Sequence, residues 1–121
     1  MARILIVDDE DSVRKMLSQL VVSMGHEVVQ ARDGIAALEL ARHQPPDLIL
    51  LDIDMPGMNG LETLKRLRVR SPRSIVIMVS GIQEEPRALK ALEEGASDFV
   101  RKPFELSRLR EILQQHLACA A

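Results

Sequence analysis

Three short runs, at positions 4–7 (ILIV), 48–51 (LILL) and 75–79 (IVIMV), are apolar at every position. A strand with one face in water alternates apolar and polar side chains, whereas a strand covered on both faces reads as continuous apolar sequence. These runs are therefore expected to be strands lying between two layers. The segments between them carry apolar residues at helical spacing and supply those layers. In "DSVRKMLSQLVVSMG", Val13, Met16, Leu17, Leu20, Val21 and Met24 share a face, and Gly25 is placed to stop the helix. "DGIAALELARHQPP" is a helix ended by Pro45 and Pro46. "NGLETLKRLRVRSP" carries Leu61, Leu64 and Leu67 on one side. "EEPRALKALEEG" opens with acids and Pro86 and stops at Gly95, matching helix-end chemistry at both termini. "ELSRLREILQQHL" sets Leu106, Leu109, Ile112, Leu113 and Leu117 on its apolar side, and the helix is expected to end there, before "ACAA". Two shorter strands, "HEVVQA" and "SDFVRKP", complete an alternation of five strands with five helices. That pattern implies right-handed βαβ units, a parallel sheet and an α/β fold.

The length of 121 residues fits one domain, residues 1–121, with no second domain expected. The net charge of −2 gives no electrostatic footprint for nucleic acid or an anionic membrane. Aromatics are 2% of the chain, which argues against a base-stacking surface. No apolar run reaches the roughly 18 residues that span a bilayer. No basic segment followed by an apolar stretch opens the chain. Cys119 is the single cysteine, so no intrachain disulfide forms. A reducing, cytoplasmic setting is the expectation.

The carboxyl ends of parallel strands share one edge of the sheet. The first strand runs into Asp8 and Asp9, the third into Asp52, the fourth into Ser80 and the fifth into Lys102. With the strand order 2-1-3-4-5, the topological switch point falls between strands 1 and 3, where open α/β sheets bind ligands. Asp8, Asp9 and Asp52 are expected to meet there, with Ser80 and Lys102 beside them. Two carboxylates 4 Å apart repel by about 4 kcal/mol at an effective dielectric of 20. Proton uptake relieves this. So does a hard divalent cation with oxygen ligands, and Mg²⁺ suits an open site that retains water. Beside a cation and an ammonium, Asp52 is placed to act as a nucleophile toward phosphorus. On this reading the buried strand holds one carboxylate rigidly at the sheet edge, and "MPGMNG" shapes the wall next to it.

At these residues the chain resembles the receiver domains of two-component response regulators, over about residues 2–117. The resemblance rests on Asp8-Asp9, on Asp52 followed by "MPGMNG", on Ser80-Gly81 and on Lys102-Pro103. It implies a doubly wound, flavodoxin-like (βα)5 receiver fold and a phosphorylation-controlled switch, not a turnover enzyme. Asp52 would accept the phosphoryl group. Asp9 and Asp52 would bind Mg²⁺ (or Mn²⁺) by carboxylate, Asp54 through its backbone carbonyl, and Asp8 mostly through water. Ser80 would hydrogen-bond the phosphoryl group and reorient on activation, and Lys102 would pair with it. Phe99, three residues before the lysine, matches the aromatic switch position. The Lys102–Pro103 bond is typically cis in that family. The donor would be a phosphohistidine on a histidine kinase or histidine phosphotransfer protein. The output would be an effector or output domain reached through helix 4, strand 5 and helix 5, about residues 84–117. The chain would be a monomer or a phosphorylation-dependent dimer.

Other readings stand beside this one. "DIDM" resembles the D-x-D motif of haloacid dehalogenase-type phosphohydrolases, but it ends the third strand, not the first. A flavodoxin-like cofactor protein would need aromatics and a glycine- or serine-rich phosphate loop. Asp8 and Asp9 can also be read as caps for the first helix, although Glu10 and Asp11 are better placed for that role. His26, His43 and His116 show no metal or triad spacing and read as surface or half-buried residues.

Overall fold

The computed structural model describes residues 1–53, 55, 59–80, 85–103 and 105–120, with backbone alone at 80, 85, 88, 119 and 120. The elements follow in the order β1 (Arg3–Val7), α1 (Asp11–Ser23), β2 (Glu27–Ala31), α2 (Gly34–His43), β3 (Leu48–Asp52), α3 (Gly60–Arg70), β4 (Ile75–Ser80), α4 (Glu85–Glu93), β5 (Asp98–Arg101) and α5 (Leu106–Ala120). All five strands are parallel, in the order β2-β1-β3-β4-β5.

Alternate residues of each strand feed two separate cores. Leu5, Val7, Ile49, Leu51, Val76 and Met78 pack with Ala37, Leu38 and Ala41 of α2, Leu64 and Leu67 of α3, and Ala91 of α4. Ile4, Ile6, Leu48, Leu50, Ile77 and Val100 pack with Leu17, Leu20 and Val21 of α1 and with Leu109, Ile112 and Leu113 of α5. Burial on both faces is why the first, third and fourth strands carry no polar alternation. Each fully buried Leu or Ile contributes roughly 1.5–3 kcal/mol relative to exposure, so β3, buried along its whole length, is a rigid mount for whatever follows it.

Helix ends follow local chemistry. Asp33 and Asn59 cap α2 and α3, accepting from Ala36 N–H at 2.8 Å and Glu62 N–H at 2.9 Å. Gly25 and Gly95 take positive φ, 86° and 112°, just past α1 and α4. At α1 the cap differs from expectation. Glu10 holds the N-cap position, but its side chain makes no cap hydrogen bond. α5 also differs, running on to Ala120. Its Leu106 is 43% exposed, so the buried stripe begins at Leu109.

Candidate functional site

Val7 pairs with Leu51 in the parallel register, so the residues that follow, Asp8 and Asp52, stand level at the carboxyl edge of the sheet. Both are buried, with 1% and 4% of their surface exposed. Lys102 follows β5, and its ammonium lies 3.3 Å from Asp8 Oδ2 and 3.5 Å from Asp52 Oδ2. The Lys102–Pro103 peptide bond is cis. A buried carboxylate is tolerated when it is paired and hydrogen-bonded, and Asp8 meets both conditions. Its Oδ1 accepts from Glu10 N–H at 2.9 Å, its own N–H donates to Ala31 O at 3.2 Å, and its carbonyl accepts from Arg14 Nη1 at 2.7 Å. Arg14 in turn pairs with Asp11.

Burial is the largest influence on the Lys102 ammonium and lowers its pKa. The carboxylates of Asp52 and Asp8, the hydrogen bond to Asp8 and the charge of Glu10 together outweigh it. The pKa ends above the ordinary lysine value, and Lys102 stays charged at neutral pH.

Asp9 is exposed, and the structure groups it with Asp8 and Glu10. One carboxylate oxygen from each of the three lies within 4.8 Å of the others. Glu10, at the N-cap position of α1, also joins the acidic cluster. Asp52 meets Asp8 through the shared lysine. An all-oxygen set of crowded carboxylates fits a hard divalent cation such as Mg²⁺.

The wall beside Asp52 is built by close backbone approach. Ile53 N–H donates to Val79 O at 3.0 Å, and Gly60 N–H donates to Ile53 O at 2.8 Å. A Cβ on Gly60 would overlap the backbone of both Asp52 and Ile53. The glycine lets the N-terminus of α3 lie directly on the end of β3. Met55, 5% exposed, closes the core beneath.

The other expected residues are placed as follows. Ser80 ends β4, in register with Arg101 of β5. Asp54 lies outside the described residues. Phe99 pairs with Met78 and is partly buried against the α2–α4 core. Its N–H donates to the Asp98 carboxylate at 2.8 Å, which His116 Nε2 also contacts at 3.0 Å. Arg14 and Glu10 are the site neighbours that motif spacing missed. Their one signal is position, since a helix that starts at Asp11 brings its first turns over the residues before it.

Comparisons with known proteins agree with this fold. The family model for the response regulator receiver domain matches residues 4–114. The chain is 45% identical to the regulatory protein AtoC of Escherichia coli over 115 residues, covering 95% of this chain and 25% of AtoC. It is 37% identical to the chemotaxis protein CheY of Bacillus subtilis over 116 residues, 95% of this chain and 97% of CheY. Among solved structures, the receiver domain of NtrX from Brucella abortus superposes with a TM-score of 0.91 at 34% identity, covering 95% of this chain and 98% of that one. The chain thus spans about a quarter of AtoC and nearly all of CheY.

Proposed function

The chain belongs to the response regulator receiver domain family, and from that premise we propose that Asp52 is the residue that accepts the phosphoryl group. Receiver domains are signalling switches, not turnover enzymes. The observation that carries the assignment is the shared ammonium: Lys102 Nζ stands between two buried carboxylates, 3.5 Å from Asp52 and 3.3 Å from Asp8. Asp52 thereby has a cation 3.5 Å from its carboxylate.

In the proposed step an Asp52 carboxylate oxygen attacks the phosphorus of a phosphohistidine on a histidine kinase or phosphotransfer protein. The O–P bond forms as the N–P bond breaks. The bonding pair stays on the imidazole nitrogen, and a proton on the ring's other nitrogen lets the imidazole leave neutral. Reversal of signal is attack by water on the same phosphorus, which releases inorganic phosphate and restores the Asp52 carboxylate. Lys102 pairs with one phosphoryl oxygen, and the Ser80 hydroxyl bonds another. Asp8, Asp9 and Asp52, with the backbone carbonyl of Asp54, are the residues that would hold Mg²⁺ or Mn²⁺. Glu10 lies close enough to Asp8 and Asp9 to contribute. Bound there, the cation would neutralise charge on the phosphoryl oxygens.

The signal leaves through α4, β5 and α5, with Ser80 and Phe99 as the moving parts, toward an output domain or effector protein. The chain works as a monomer or a phosphorylation-dependent dimer in the cytoplasm. No described helix is long and apolar enough to cross a membrane.

Incubation with Mg²⁺ and acetyl phosphate tests the assignment. Intact mass is expected to rise by about 80 Da, the mass of one phosphoryl group, in an acid-stable, base-labile adduct that disappears in Asp52→Ala. No adduct, or an adduct that survives that substitution, overturns it.

A further inference from the structure

Helix α4 is held differently at its two ends. Past its C-terminus the chain is stitched to the sheet: Ala96 N–H donates to Ala91 O at 3.0 Å, and Ser97 N–H to Val76 O of β4 at 2.7 Å. The Arg68 side chain of α3 closes over Gly95, where an added Cβ would meet Arg68 Cδ at 3.1 Å. Among the described side chains the apolar seat of the helix is small. Ala91 is buried, Leu92 is packed at the core edge and Leu89 is 54% exposed. An element with so little buried apolar area sits low on the scale of local stability, so individual polar contacts weigh more in deciding where it lies.

The first turn of α4 has such a contact. Arg87, partly buried, reaches across the sheet edge, and its Nη2 donates to the carbonyl of Ile53, 34 residues away, at 3.4 Å. Ile53 follows Asp52 directly, and the same oxygen accepts Gly60 N–H at 2.8 Å. The N-terminal turns of α3 and α4 thus converge on the carbonyl of the residue that follows Asp52. At 3.4 Å the hydrogen bond is long and weak by geometry alone. The guanidinium is a cation held at the residue after Asp52, so a charge on Asp52 would act on it through space.

We infer that Arg87 is a positioning residue that couples the seating of α4 to the charge carried at Asp52, through its hold on the Ile53 carbonyl. A more negative acceptor draws Arg87 inward and seats the first turn of α4 more tightly. A neutral acceptor releases it. The coupling is reciprocal: whatever seats α4 from outside also favours the more negative state of Asp52. The signalling consequence rests on Asp52 being the phospho-acceptor, but the coupling itself does not.

A double-mutant cycle tests it without a phosphoryl donor. Amide hydrogen exchange in α4 is compared for the wild type, Asp52→Asn, Arg87→Met and the double variant, with Arg87→Lys as the conservative rescue. With Arg87 present, Asp52→Asn is expected to speed α4 exchange by at least about threefold, the size of a typical contact coupling. With Met at position 87 that effect is expected to vanish, and Lys is expected to restore part of it. If the two substitutions combine additively, to within about twofold, Arg87 is a static brace and the inference is overturned. The acetyl phosphate mass shift is read separately on the same proteins. A wild type that fails to gain the adduct removes the acceptor assignment, while the cycle still decides the coupling.

Discussion

Lys102 Nζ lies 3.3 Å from Asp8 Oδ2, joining the end of β5 to the end of β1 although two other strands separate them in the sheet. The ammonium reaches over the carboxyl edge to do so, and its second contact, with Asp52 at the end of β3, falls along the way. This ion pair is the basis of the first prediction.

Stability should fall in alkali in a way that depends on Lys102. Its pKa is raised in the folded state: burial lowers it, and Asp52 and Asp8 raise it by more. The native protein therefore holds the proton more tightly than the unfolded chain does. The contribution is fully present below the unfolded lysine value of about 10.4 and is lost as pH climbs through the higher folded value. Urea midpoints measured from about pH 9 upward should drop for the wild type. Lys102→Met should be weaker at neutral pH and show a flatter alkaline decline.

Mg²⁺ should raise the melting temperature, because the crowded carboxylates exist as a cluster only in the fold, and a ligand that binds the native state alone stabilises it. Asp9→Asn should stabilise the metal-free protein by removing one repelling charge, and should shrink the Mg²⁺-induced shift. Calorimetry is the suitable measurement, since the chain has no Trp or Tyr. A destabilised metal-free Asp9→Asn would mean that the carboxylate makes favourable contacts of its own.

The N-cap positions of α1 and α2 should respond differently. Asp33 makes a cap hydrogen bond and Glu10 does not. Asp33→Ala should cost about 1 kcal/mol in denaturant unfolding. Glu10→Ala should leave metal-free stability nearly unchanged and weaken the response to Mg²⁺, as expected of a member of the acidic cluster.

Gly60→Ala should damage the site from behind. The added methyl overlaps the backbone of Asp52 and Ile53, so either α3 or the end of β3 must move. Overpacking of this kind costs about 1–3 kcal/mol. Because the displaced residue is the proposed acceptor, the rate of adduct formation with acetyl phosphate should fall as well. An unfolding midpoint equal to the wild type would show that the helix start yields without strain.

The layered fold was legible because its signal is local. Apolar runs at 4–7, 48–51 and 75–79 are a direct imprint of burial on both faces, and Gly25 and Gly95 mark helix ends by their own backbone chemistry. The meeting of Asp8, Asp52 and Lys102 was legible once the strands were known to be parallel, since residues following them must share an edge. Contacts that depend on side-chain reach were not. Nothing in the spacing of Arg14, Glu10, Arg87 or His116 shows that they contact Asp8 O, the Asp8–Asp9 pair, Ile53 O and Asp98. The extent of α5 was misjudged because "ACAA" has neither a helix breaker nor an apolar stripe, and alanine favours continuing the turn.

The three charged groups of the site come from positions 8, 52 and 102, at the ends of three different strands. A polypeptide still emerging from the ribosome holds the first two without their counter-ion, and a molecule clipped anywhere between them loses the constellation altogether. Until all three segments have folded together, the two carboxylates lack the cation that joins them.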